Sequence, residues 1–290
     1  MRLTVQKTYK MFVNGQFPRT ESGRSLEVKD AKGKFLANVC WGSRKDVREA
    51  AVAARKAFGG WQKKTAYLRG QILYRMAEML ERRNAEFITE LMAMSGKTRV
   101  QADQEVAKSI DRLVWYAGWA DKFTQQFGCV NPVAGSFFNF SVPEPTGVVG
   151  IVAPERPALL GIVSTIAPVI LTGNTCVVIA SQKHPLCAVS LGEVLVTSDL
   201  PAGVVNIITG KASELVPTLS KHMDVNAVVD YRSDMATFKA SAVEGADSVK
   251  RVIGHLNITE KSWYDDKKCQ NPYWIQEVTE IKTAWHPIGV

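Results

Sequence analysis

Thr209-Gly210-Lys211-Ala212-Ser213 follows the apolar run Val204-Val205-Asn206-Ile207-Ile208. A turn in that position could receive a phosphate, and such turns need glycine because a side chain would collide with the phosphate oxygens. One glycine favours a plain turn over a cradle. His184 and Cys187 stand three apart, while His222-Met223-Asp224 and Asp265-Asp266 stand alone. No second pair completes a set of metal ligands, so no metal site is expected. The five cysteines are Cys40, Cys129, Cys176, Cys187 and Cys269. Cys176 sits in an apolar run, where burial raises a thiol pKa and removes its reactivity. Cys187 falls near a predicted helix N-terminus, which would lower its pKa. Cys269 lies in a polar segment with no motif around it.

The elements that would position these groups read in two halves. Met11-Phe12-Val13 precedes Asn14-Gly15, a strong hairpin dipeptide. A helix begins at Ser43, where Ser43 and Asp46 have capping-box spacing, and Gly59-Gly60 is expected to end it. Helices follow over about 67–87 and 102–126, with Trp115 and Trp119 as a packing pair. Residues 136–146 read as a strand ending in Pro143-Glu144-Pro145, an edge position. From Gly147 apolar strands (148–152, 176–180, 204–208, 227–229) alternate with helices (159–171, 185–197, 214–222). Strands apolar on both faces predict a parallel sheet of the doubly wound α/β type. Residues 261–271 look like a polar linker, and Trp274–Trp285 like a terminal strand.

Composition bounds the rest. The chain has 290 residues, 46% hydrophobic and 22% charged, enough for a filled core. Its net charge is +8, but Lys and Arg are interspersed with acids, which argues against a nucleic-acid face. The apolar stretch 147–171 is broken by prolines and charges, so no membrane helix is expected. Five widely spaced cysteines and a polar, cationic start (residues 1–10) suggest a reduced, cytoplasmic compartment.

Three segments carry a resemblance: Pro143-Glu144-Pro145-Thr146-Gly147-Val148-Val149-Gly150, Ala167-Pro168-Val169-Ile170-Leu171-Thr172-Gly173-Asn174-Thr175-Cys176, and Leu200-Pro201-Ala202-Gly203-Val204-Val205-Asn206-Ile207-Ile208-Thr209-Gly210. In order and spacing they resemble the aldehyde dehydrogenase family, over residues 8 to about 260. The resemblance implies an NAD(P)-binding Rossmann-like domain with N-terminal helices, a β oligomerisation arm, and a catalytic domain bearing a cysteine nucleophile. Residues 1–135 then correspond to N-terminal hairpins and helices and 147–260 to the Rossmann-like sheet. Residues 136–146 and 272–290 give the arm, and 261–271 replace the catalytic domain. None of the five cysteines stands in the family's nucleophile context.

The family's site positions are also altered. Arg156 stands where the family has an oxyanion-holding asparagine, and His255 where it has a general-base glutamate. Ile179 and Gln182 replace the cofactor-binding lysine and its partner glutamate, and the pyrophosphate turn reads Arg232-Ser233. Gly210 remains. Losing a charged ribose contact costs roughly 1.5–3 kcal/mol, or about one to two decades of affinity. No cofactor is therefore expected, although Arg232 leaves weak NAD(P) binding open. The resemblance then implies a non-catalytic homologue acting as partner subunit of a full-length aldehyde dehydrogenase, or self-associating through its arm. The partner surface would be Phe138, Phe140, Val142, Ile275, Val278, Ile281 and Trp285. Two alternatives stay open: an NAD(P)-sensing module, and an NAD(P)-dependent component active only with a partner's catalytic cysteine.

Overall fold

A computed structural model of the chain describes residues 8–289; the first seven residues, on which part of the compartment reading rests, lie outside the described residues. The chain opens with β1 (Thr8–Tyr9), β2 (Ser25–Lys29) and β3 (Phe35–Cys40), in the order β1-β3-β2. Asn14 and Gly15 both have positive φ, 52° and 72°, and close the expected tight turn with Val13 bridged to Gln16. Phe12 bridges to Ile207, which ties this corner to the central sheet.

Helix α1 (Arg44–Gln62) starts at the predicted capping box: Asp46 N–H donates to Ser43 Oγ at 3.3 Å, and Ser43 N–H to Asp46 Oδ2 at 2.7 Å. It does not stop at Gly59-Gly60. Glycine costs about 1 kcal/mol in a helix, but Trp61, the next residue, is buried and its indole N–H donates to Ile170 O at 2.9 Å. Tertiary packing overrides the local stop signal. The expected second helix is two, α2 (Ala66–Arg82) and α3 (Asn84–Ser95), broken at Arg83. The third is α4 (Arg99–Ala117) and α5 (Phe123–Phe127), parted after Gly118.

An arm follows: β4 (Cys129–Asn131) and β5 (Phe137–Pro145). Then the chain winds through β6 (Val148–Val152), α6 (Ala158–Leu171), β7 (Thr175–Ile179), α7 (Leu186–Val196) and β8 (Val205–Ile208). It continues with α8 (Ala212–Lys221), β9 (Ala227–Asp230), α9 (Met235–Gly245) and β10 (Arg251–Gly254). The five strands form one parallel sheet, β10-β9-β6-β7-β8. This is the Rossmann order, with helices on both faces, and every residue of α6 is buried. The strand order reverses between β6 and β9, where this architecture opens a crevice at the carboxyl ends.

Residues 255–278 differ most from expectation. They fold as α10 (Glu260–Trp263), α11 (Asp266–Cys269) and α12 (Tyr273–Gln276) instead of a linker and the start of a strand. Trp263, Cys269 and Trp274 are buried. Arg112, itself fully buried, donates to Trp263 O (3.0 Å), Cys269 O (2.9 Å) and Ser164 Oγ (3.0 Å), pinning this cover to α4 and α6. Ile275 and Val278, expected to face a partner, are core residues at 0% and 2% exposure. The reason is spacing: 274, 275 and 278 share a helical face, whereas a strand would alternate them. The arm strand β11 (Thr279–Pro287) starts after them and pairs antiparallel with β5 in nine registers, Thr279 opposite Pro145 to Pro287 opposite Phe137.

Candidate functional site

The loop leaving β6 carries Glu155 and Arg156. Glu155 is spent on the next loop: its carboxylate accepts from Ser181 Oγ (2.6 Å) and Lys183 N (3.0 Å). Ser181 Oγ in turn receives His184 N–H at 2.9 Å. His184 is buried, and its Nδ1 lies 3.2 Å from Glu155 O. Carbonyl oxygen only accepts, so Nδ1 carries the proton and Nε2 accepts from Arg156 Nη2 at 3.4 Å. Burial, and then the Arg156 charge, hold the His184 pKa below its usual value. Arg156 is otherwise exposed, without an acidic partner among the described residues. Ile179 is buried at the end of β7, and Gln182 is exposed beyond it.

Two of the helix N-termini along this edge, those of α6 and α9, are already served. Glu105, fully buried, accepts from Leu159 N (2.8 Å) and Leu160 N (3.3 Å), the first turn of α6. Lys97 forms an ion pair with Glu105, and Tyr264 Oη donates to the same carboxylate at 3.3 Å. At α9, Asp234 caps Ala236 N (3.1 Å) and Thr237 N (3.2 Å). Hydrogen bonds from Thr237 pull the Asp234 pKa below the usual carboxylate range. Arg232 is taken by buried Asp230, to which it donates from N (2.9 Å), Nε (3.1 Å) and Nη2 (2.7 Å). Ser233 beside it is exposed.

Gly210, at φ 149°, has a packing role: a Cβ there would stand 3.1 Å from Gly42 N and 3.0 Å from Leu215 Cδ1. At the end of β10 the His255 ring stacks on Tyr231 with centroids 4.7 Å apart, and Nε2 lies 2.8 Å from Glu277 Oε2. Trp263 and Trp274 complete this aromatic cluster. Arg156, Ile179 and Gln182 therefore share the β6–β7 corner, while Gly210, Arg232 and His255 are each engaged elsewhere and Ser233 is exposed.

Four cysteines are buried, and exposed Cys129 lies on the arm strand β4. Cys187 corrects the expectation of a lowered pKa: burial pushes it well up, and Glu90 adds to the rise. Cys269, expected in an open polar segment, is buried and also shifted up. Among the described residues no group of three or more His, Cys, Asp and Glu could hold a metal, and no helix is long and apolar enough to cross a membrane. A diphosphate at α6 or α9 would meet Glu105 or Asp234 where it needs free amides, and Arg232 would have to leave Asp230. Sequence reading missed Glu105, Lys97 and Trp263, weighed His184 only as half of an incomplete metal pair, and placed Trp274 at the start of a strand. Asp234 sits three residues before Thr237 at a helix start, a capping signal that was legible; Glu105 acts across 54 positions and left no local signal.

Comparison with known proteins places these features. Residues 18–253 match the aldehyde dehydrogenase family. The chain is 31% identical over 250 residues to omega-crystallin of Enteroctopus dofleini, covering 84% of this chain and 50% of that one. It is 32% identical over 261 residues to retinal dehydrogenase 2 of Gallus gallus, covering 88% and 50%. Among solved structures, the NAD+ complex of an aldehyde dehydrogenase from Bacillus cereus superposes with a TM-score of 0.81 at 27% identity, covering 86% of this chain and 50% of that one. The chain thus spans about half the length of the relatives it matches.

Proposed function

The chain belongs to the aldehyde dehydrogenase family, and from that premise we propose that it is a non-catalytic member acting as a partner subunit of a full-length aldehyde dehydrogenase. The observation that carries this reading is the arm. Strands β11, β5 and β4 form a registered antiparallel sheet, and the chain passes from β10 to β11 through residues 255–278 with no further domain between them. β11 is an edge strand, with Ile281 and Trp285 52% and 60% exposed, beside exposed Phe137 and Phe138. An unpaired edge flanked by aromatic side chains is a template for strand addition. Phe140 and Val142 are half-buried and contribute less surface.

The altered crevice supports the non-catalytic half of the proposal. The cysteines are buried or on the arm, and the N-termini of α6 and α9 hold the chain's own carboxylates where a diphosphate would need free amides. Relatives named as dehydrogenases, and a neighbour solved with NAD+, define what the intact fold does; this chain's residues argue against the same binding. The test is co-expression with a full-length aldehyde dehydrogenase from the same source. A stoichiometric complex is expected, with turnover abolished by replacing the partner's catalytic cysteine. Turnover by the isolated chain, or a monomer that does not co-purify, rejects the proposal.

A further inference from the structure

A cavity of about 740 Å³ opens between α4, the β6–α6 loop and α10, lined in part by Lys97, Gln101, Gln104, Arg156, Lys261 and Tyr264. That volume suits a small organic ligand. Its lining carries three cations, Lys97, Arg156 and Lys261, against one acid, Glu260, so its charge is not self-cancelling. Lys97 is shared between Glu105 and Glu260, the latter at 3.7 Å. Arg156 and Lys261 have no acidic partner among the described residues. Glu155, the acid next to Arg156 in sequence, is turned to Ser181 and Lys183 instead.

Arg156 is also oriented. His184 presents a neutral Nε2 to its Nη2 at 3.4 Å, fixing one arm of the guanidinium and leaving the other donors free. Gln101 uses its carbonyl oxygen on Thr98 N at 3.0 Å, so its amide hydrogens remain available.

We propose that this cavity binds a small organic carboxylate, with Arg156 as the principal anchor and Lys261 as a second cation. A guanidinium fork matches the two oxygens of a carboxylate in plane. The Tyr264 ring gives the organic remainder a surface that a bare phosphate would not use. This inference is independent of the partner-subunit reading, since it needs neither the arm nor a second chain.

Isothermal titration of the whole chain at low ionic strength tests it, with benzoate and inorganic phosphate as separate probes. Saturable benzoate binding is expected. Arg156→Gln should weaken it by about 10-fold or more, the scale of a lost charge-assisted pair. Arg156→Lys, which keeps the charge and loses the fork, should fall in between. Lys183→Gln removes an exposed cation that does not line the cavity and should change nothing. The proposal fails if benzoate shows no saturable binding up to about 20 mM, a range that would still reveal millimolar affinity. It fails equally if phosphate binds and benzoate does not, or if Lys183→Gln weakens binding as much as Arg156→Gln. Arg156 is exposed, so its variants should melt with the parent; a matching melting curve separates lost binding from lost fold.

Discussion

His184 ties the two loops of the β6–β7 corner together, and the chemistry of that tie is sensitive to acid. Its folded-state pKa lies below the unfolded value of about 6.5, because burial and the neighbouring Arg156 both disfavour the imidazolium. Between those two values the unfolded chain binds more protons than the native one. The stabilisation is therefore complete above about pH 6.5 and is lost as pH falls toward the folded-state value. His184→Gln keeps a side chain able to accept from Arg156 and does not titrate. Urea midpoints measured from pH 7.5 to 5 should decline more steeply for the parent than for the variant; parallel curves would refute the assignment. Some residue-scale structure was legible beforehand. The Ser43–Asp46 box and the Asn14-Gly15 turn are local, so a few adjacent side chains specify them. Glu105, Arg112 and His184 act through partners dozens of positions away, and no short spacing announces such contacts.

Elements repeat this division. The strands β6 to β9 were readable because each is a short apolar run between turns, which a doubly buried parallel sheet requires, whereas β10 (Arg251–Gly254) is only half-buried and gave no such run. The cover α10–α12 was not readable either, because its pieces are four residues each, too short to show a helical period, and α10 and α11 are mostly polar. What holds them is long-range: Trp263 against Tyr231 and Trp274, Arg112 under two of their carbonyls, and Arg251 donating to Glu277 O and Thr279 O at 2.7 and 2.9 Å. Trp263 is 1% exposed and so is the natural keystone. Trp263→Ala should destabilise the chain by about 3–5 kcal/mol, the usual cost of emptying a large aromatic site. Hydrogen exchange should show protection lost first in residues 259–277, while amides of β6 and β7 keep theirs. Uniform loss of protection across the sheet would mean that the cover and the sheet unfold as one unit.

At the scale of the whole molecule, folding and assembly use different surfaces, and this makes them separable. The core lies on both faces of the parallel sheet and under the cover. The arm projects a nine-residue strand pair whose outward side chains contribute little to that core: Phe137 meets Trp285 at 5.7 Å, Phe138 meets Phe140 at 5.4 Å, and Lys282 pairs with Glu144 at 3.0 Å. Ile281 and Trp285 are more than half exposed, so replacing both with lysine removes little buried area. Each exposed substitution should move monomer stability by no more than about 0.5 kcal/mol. The same pair places two charges on the edge where a partner strand would desolvate them, and lysine on an edge strand opposes pairing. The double variant Ile281→Lys/Trp285→Lys should therefore keep the parent's melting temperature within a few degrees and lose co-purification with the full-length enzyme. Measurement at physiological ionic strength keeps the chain's net charge of +8 from attracting partners non-specifically. A variant that folds and still assembles would place the interface elsewhere on the molecule, and the arm would then carry no part of the proposed function.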